Sequence, residues 1–240
     1  MRSTRCRLLA DRQMLYAGRV EHAVQGERAM AGGSMEGAGA AGLVCALDGV
    51  TDLPPGKIAA LVTYLEMRAP PPRAVPAPRD DLALLETTRD LDAYRAFYAR
   101  IGAPWLWSGR LRVSDAALER ALADPRLVSR TLHRGGAPVG LVEVAFDGEE
   151  AELVYCGLVP EAIGEGLGAW LMAQAIAIAF ARPIARLMVH TCSFDHPAAI
   201  RAYMRAGFAP YKRAIEIEDD PRLLGLLPRD AAADRWPVVD

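Results

Sequence analysis

Apolar residues recur along this chain with two periods, and the switch between them marks out the elements. Leu91, Tyr94, Phe97, Tyr98 and Ile101 return every three or four positions, which predicts a helix over 90–101. Ser114 and Asp115 open a second helix with Leu118 and Leu122 on one face. Between and around them run short β-rich stretches at 58–67, 82–87, 127–133 and 139–146. Arg134-Gly135-Gly136-Ala137 is the hairpin turn between the last two, and strand 82–87 is expected to pair with 58–67. Trp105 and Trp107 are expected in the core, with a substrate-pocket wall as the alternative.

The order changes after residue 150. A strand at 152–159 leads through the turn 164–168 into a continuously apolar helix, 169–181, broken only by Gln174. That helix is too short to span a bilayer and reads as buried. A strand at 186–192 follows, so the unit is βαβ and its two strands should be parallel. Asp195 or His196 is expected to cap the next helix, with Pro197 in its first turn and Gly207 ending it in the left-handed conformation. A last strand covers 208–217.

This divides the chain into a flexible leader at 1–50, an extra strand with a Pro-rich linker at 51–80, an α/β domain at 81–218, and a polar C-terminal tail at 219–240. The leader carries Arg2, Arg5, Arg7, Arg12 and Arg19 and ends in a Gly/Ala-rich joint at 31–42. It reads as a leader or an early start codon, with Met30 and Met35 as alternative starts, rather than as a targeting peptide. Five prolines at 69–78 make a stiff connection that cannot continue a ladder. The extra strand is expected to extend the sheet or to pair across a homodimer.

The bulk numbers narrow the function. A 240-residue chain with 52% hydrophobic residues and a net charge of -2 is an ordinary globular composition. It gives no basic footprint for nucleic acid or an anionic membrane, and neither partner is expected. Cys6, Cys45, Cys156 and Cys192 form no C-x-x-C pair, which fits reduced thiols in a cytoplasmic protein. His190, His196 and Cys192 match no zinc spacing, so no metal is expected.

The turn carries the chemistry. Gly164-Glu165-Gly166-Leu167-Gly168 ends a strand and opens a helix, where free N–H groups and the helix dipole favour a phosphate or diphosphate. With Ala169 it also satisfies the dinucleotide pattern G-x-G-x-x-A. Against that reading, the turn follows several antiparallel strands, strand 186–192 carries no acid for a ribose, and no second mononucleotide half follows. There is no G-K-[ST], which excludes a P-loop.

The stretch from Leu158-Val159-Pro160 through Ile163 to Gly168 resembles the coenzyme A motif of the GNAT acyltransferase superfamily: a hydrophobic strand end, a proline, then Arg/Gln-x-x-Gly-x-Gly/Ala. Asp195-His196-Pro197-Ala198-Ala199-Ile200 and Tyr203 to Gly207-Phe208 are similar to that family's second signature, an Asn-x-x-Ala segment leading to a Tyr and a Gly-Phe. The resemblance covers about 82–217 and implies a mixed, splayed α/β sheet flanked by helices. It implies that Leu158 and Val159 meet the pantetheine arm with backbone groups, and that Gly164, Glu165, Gly166, Leu167 and Gly168 hold the diphosphate. Ile163 stands where the family has Arg or Gln. His196 stands where the family has an Asn contacting the cofactor, and Tyr203 where it has a tyrosine near the sulfur, a general acid for the leaving thiolate.

Amine acylation also needs a base. In a regular strand Glu152, Val154, Cys156 and Leu158 share one face, which makes Glu152 the candidate and Glu143 the runner-up. His190 is placed at the acceptor side. Cys156 lacks the His-Asp partners of a nucleophile. The resulting expectation is an acetyl-CoA-dependent N-acetyltransferase acting by direct attack of a small-molecule or peptide amine. The alternatives are a catalytically silent CoA-binding regulatory domain and an NAD(P)-dependent oxidoreductase.

Overall fold

The computed structural model describes residues 48–72 and 75–240. The leader expected at 1–50 lies, up to residue 47, outside the described residues. Seven strands form one sheet in the order β2-β3-β4-β5-β6-β1-β7. They are β1 (Lys57–Met67), β2 (Leu82–Glu86), β3 (Leu127–Arg134), β4 (Ala137–Asp147), β5 (Glu150–Leu158), β6 (Arg186–Cys192) and β7 (Ala209–Asp219). The helices are α1 (Leu91–Gly102), α2 (Gly109–Arg112), α3 (Asp115–Ala123), α4 (Leu167–Phe180) and α5 (Ala199–Arg205).

Local signals set the helix starts. The Asp90 carboxylate accepts from the Ala93 N–H at 3.0 Å and starts α1, which buries Tyr94, Tyr98 and Ile101. Ser114 caps α3 in the same way, over buried Leu118, Ala121 and Leu122. In α4, Leu167, Leu171 and Ala175 recur every four residues and are buried, with Met172, Ile176 and Ala179 beside them. α4 packs on β4, β5 and β6, and α1 packs against β4 and β5. Strand β4 is buried along eight consecutive residues, as a central strand with helices on both faces must be.

One expected pairing differs from that found, and the extra strand β1 does extend the sheet. β2 does not pair with β1 but runs antiparallel to β3, Leu82 to Glu86 facing Arg134 to Arg130. β1 sits at the other end of the sheet, inserted between β6 and β7 and antiparallel to both. Its buried positions Ala60, Val62, Leu65 and Met67 need cover that a two-stranded edge would not give. The helix α5 is capped by neither Asp195 nor His196: its N-cap is Ala198, and the Asp195 carboxylate is committed elsewhere. Gly207 does end α5 with φ at 103°.

Two irregularities shape the site. β5 and β6 are parallel only from Glu150↔Arg186 to Leu153↔Val189, and beyond that they part. At the same level the β4–β5 register slips, with Glu143 facing Tyr155 and Val144 facing Leu153, so that Val154 is an extra residue. A one-residue bulge inverts the alternation beyond it. Glu152 and Cys156 therefore lie on opposite faces of the sheet, not on the shared face that a regular strand would give.

Candidate active site

The cleft lies where β5 and β6 part. It is a cavity of about 190 Å3 between Leu158, Gly168 and Leu171 on one side and His196, Ala199 and Tyr203 on the other. Trp105 and Trp107 line it, so both tryptophans are pocket walls, although Trp107 also packs on the core. The Trp107 ring sits against Gly157, where an added Cβ would come within 2.6 Å of Ile101 and 2.9 Å of Trp107. Glycine is thus needed there for α1 to approach the strand.

At the mouth of the cleft the turn begins at Gly164, with φ at 94°, and Gly166 caps α4 with φ at 79°. Both angles favour glycine. No side chain caps α4, so the first N–H groups of the helix point outward as an anion site. Gly168 and Ile163 line the cavity, Leu167 is buried in the core, and Gly164, Glu165 and Gly166 are exposed at the rim. Val159 is buried and its N–H donates to the Val139 carbonyl at 2.9 Å, so that group belongs to the ladder.

Glu165 puts an acid in the middle of an anion-binding turn. Arg134 reaches its carboxylate at 2.5 Å and Arg79 at 3.4 Å. The hydrogen bond from Arg134 holds the Glu165 carboxyl below its ordinary value. Arg79 comes from the proline-rich linker, and sequence reasoning missed both arginines because they are distant in the chain. Glu165→Gln is expected to tighten the binding of a diphosphate-bearing ligand at this turn and Arg134→Met to weaken it, each by roughly twofold to fivefold at low salt. Isothermal titration at two ionic strengths checks this, and the differences should shrink at the higher one.

Inside the cleft, Tyr203 is half-buried, with its ring edge-on to Phe208 at 5.9 Å. Burial, and then the neighbouring Cys156, Asp195 and Cys192, push its hydroxyl well above the ordinary tyrosine value, so it keeps its proton. Burial pushes the Cys156 thiol up to about 12, which leaves it inert as a nucleophile at neutral pH. Asp195 accepts from Trp107 Nε1 at 2.9 Å, Thr191 Oγ1 at 2.8 Å and the Cys192 N–H at 2.9 Å. It holds the tryptophan wall to β6 rather than starting a helix. His196 Nδ1 accepts from the Ala198 N–H at 3.0 Å. In the neutral ring the proton is then on Nε2, so His196 offers a donor, the role an Asn amide could also fill.

The two carboxylates considered as base are elsewhere. Glu152 pairs with His190 Nδ1 at 2.9 Å, on the residues flanking the last β5–β6 pair, and does not line the cleft cavity. Glu143 is fully buried, bound by Tyr94, Ser129 and Arg110, and serves the core. Among the described residues no group of three or more His, Cys, Asp or Glu side chains could hold a metal ion, and no helix is long and apolar enough to cross a membrane.

A mixed sheet whose parallel strands fork beside a glycine turn and an uncapped helix makes a cleft with an anion-binding mouth. Residues 91–208 match the model of the acetyltransferase (GNAT) family. Similar solved structures include a GNAT-family protein from Novosphingobium aromaticivorans, 18% identical with a TM-score of 0.50 over 70% of each chain. Another is a GCN5-related N-acetyltransferase from Sphaerobacter thermophilus, 16% identical with a TM-score of 0.50 over 67% of this chain and 52% of that one. At such identities the likeness shows the shared fold. None of the curated proteins compared matches the chain.

Proposed function

We propose that this chain transfers the acetyl group of acetyl-coenzyme A to a primary amine by direct attack. The observation that carries the proposal is the continuity of the site: the uncapped N-terminus of α4 opens onto the fork between β5 and β6, and the fork ends at the protonated hydroxyl of Tyr203. The turn residues hold the diphosphate with backbone N–H groups, and Leu158 and His196 flank the pantetheine arm. The amine nitrogen bonds to the thioester carbon as the carbon–sulfur bond breaks, and Tyr203 gives its proton to the leaving thiolate.

The amine must also lose a proton. Glu152 is a carboxylate acceptor for the His190 Nδ1–H, which leaves Nε2 with the lone pair. The base role therefore moves to His190, which does not line the cleft cavity and so takes the proton through water, with Glu152 orienting the ring. His190→Gln should lower kcat by roughly a hundredfold, within the usual range for a general base, and Glu152→Gln by less. Steady-state kinetics decides, with coenzyme A affinity unchanged in both.

The whole reading is tested by titration calorimetry with coenzyme A together with thiol release from acetyl-coenzyme A against a panel of amines. Binding with amine-dependent release is expected. Binding without turnover across the panel would favour a silent cofactor-binding domain, and a thermal shift with NAD(P) alone would favour an oxidoreductase.

A further inference from the structure

The two ends of the sheet are unlike. β2 closes one with five residues, the short form that resists pairing with another chain. β7 closes the other with eleven residues, and among the described residues it pairs on one side only, with β1. β1 is interior, so pairing across copies through this end falls to β7 and not to the extra strand itself.

The register assigns the outward row of backbone groups. From Lys57↔Asp219 to Tyr64↔Lys212 the β1–β7 pairing runs without a shift, and the Asp220 N–H donates to the Gly56 carbonyl at 2.9 Å. Direction alternates along an antiparallel ladder, so the even-numbered residues of β7 face β1. The N–H and C=O groups of Arg213, Ile215 and Ile217 therefore point away from the sheet. A proline and a register slip blunt the start of the strand, around Pro210, and leave Lys212 to Asp219 regular.

The side chains of this edge fit a second copy of the chain. Ile215 is 60% exposed and lies opposite Leu61, which is 54% exposed, so an apolar pair stands on the open face beside the edge. Ile217 shares that face. Charge is graded along the strand: Lys212 and Arg213 stand at one end, Glu216, Glu218 and Asp219 at the other. Arg112 and Lys57 already offset part of the acidic end, at 3.2 Å from Glu218 and 2.6 Å from Asp219. The gradient therefore sets the direction of pairing more than its strength, because parallel copies would place like charges side by side.

We propose that β7 is the interface of a homodimer, in which two copies of β7 pair antiparallel about a twofold axis at Ile215 and join the two sheets into one. Only in this register are all three outward residues paired with one another: Ile215 with its own counterpart, and Arg213 with Ile217 of the partner subunit and the reverse. Lys212 then lies opposite Glu218 of the partner subunit. The apolar side chains of Ile215 meet at the axis, with Leu61 flanking them on each side. The proposal does not depend on the reaction the chain catalyses.

Sedimentation velocity of the full chain across a concentration series tests this, with a melting temperature read on each variant. The wild type should sediment as a dimer. Ile215→Pro removes an N–H that points away from β1, so the ladder within one copy keeps its bonds, and the variant should be folded and monomeric. Lys212→Glu/Arg213→Glu and Glu216→Lys/Glu218→Lys should each raise the dimer Kd by roughly tenfold or more. An equal mixture of these two should recover a heterodimer, because an acidic strand then meets a basic one. That recovery reads the interface even where the proline variant does not fold. A wild type that is monomeric throughout overturns the proposal. So does a folded Ile215→Pro variant that still dimerises, or a mixture of folded charge variants that stays monomeric.

Discussion

Arg110→Met is expected to destabilise the protein by about 3–5 kcal/mol, the cost of stranding a buried carboxylate. Arg110 and Glu143 are 1% and 0% exposed and meet at 2.5 Å. Tyr94 and Ser129 complete the carboxylate's partners at 2.8 and 3.0 Å. Burial alone would pull the Arg110 guanidinium down, but the Glu143 carboxylate holds it above its ordinary value. Without the cation, Glu143 must lose its charge or its burial. Two guanidinium nitrogens, Nε and Nη1, have no hydrogen-bond partner, so the pair is itself imperfectly satisfied. The double variant Arg110→Met/Glu143→Met should therefore regain much of the loss, because it removes both charges. Urea denaturation of the two variants checks this, and a single variant within about 1 kcal/mol of the wild type would show the pair to be dispensable.

The same pair shows what the sequence can and cannot carry. Glu143 among Val142 and Val144 marks a buried carboxylate, but nothing local connects it to Arg110, 33 positions earlier in a four-residue helix. Periodicity reports a residue's own face and not its partner's identity. β6 was legible to the residue, and the strand–turn–helix around the glycine turn was legible with its ends displaced by one or two residues, because each signal lies within a few positions. The placement of β1 was not legible, since a pairing such as Tyr64↔His190 depends on which edge is left open once β5 and β6 have formed.

Glu152 shows how a single residue redirects chemistry. Period-two reasoning put it on the face of Cys156. The extra residue at Val154 turned it to His190 instead. The C-terminal tail escaped for another reason. Asp220 and Arg222 look like solvated charges in the sequence, yet they are buried together and tie down carbonyls up to 14 residues away.

Tyr203→Phe should lower kcat by roughly a hundredfold or more, within the range ascribed to one proton-transfer group, while coenzyme A affinity stays within about twofold. The ring's place is set by packing against Phe208 and by its position on α5, both of which phenylalanine keeps. The substitution removes a hydroxyl whose proton is retained through the neutral range, because burial and the nearby Cys156 and Asp195 oppose its ionisation. Tyr203 is therefore in its acidic form throughout that range, and loss of the hydroxyl should lower kcat by a similar factor across neutral pH. An acetyl donor with a more acidic thiol needs less help in departing, so the deficit should shrink with such a thioester. Steady-state kinetics with acetyl-coenzyme A and an activated thioester reads both effects. An unchanged kcat, or a deficit that ignores the leaving group, would remove Tyr203 from the proton transfer and leave the attacking amine and its base to account for the rate.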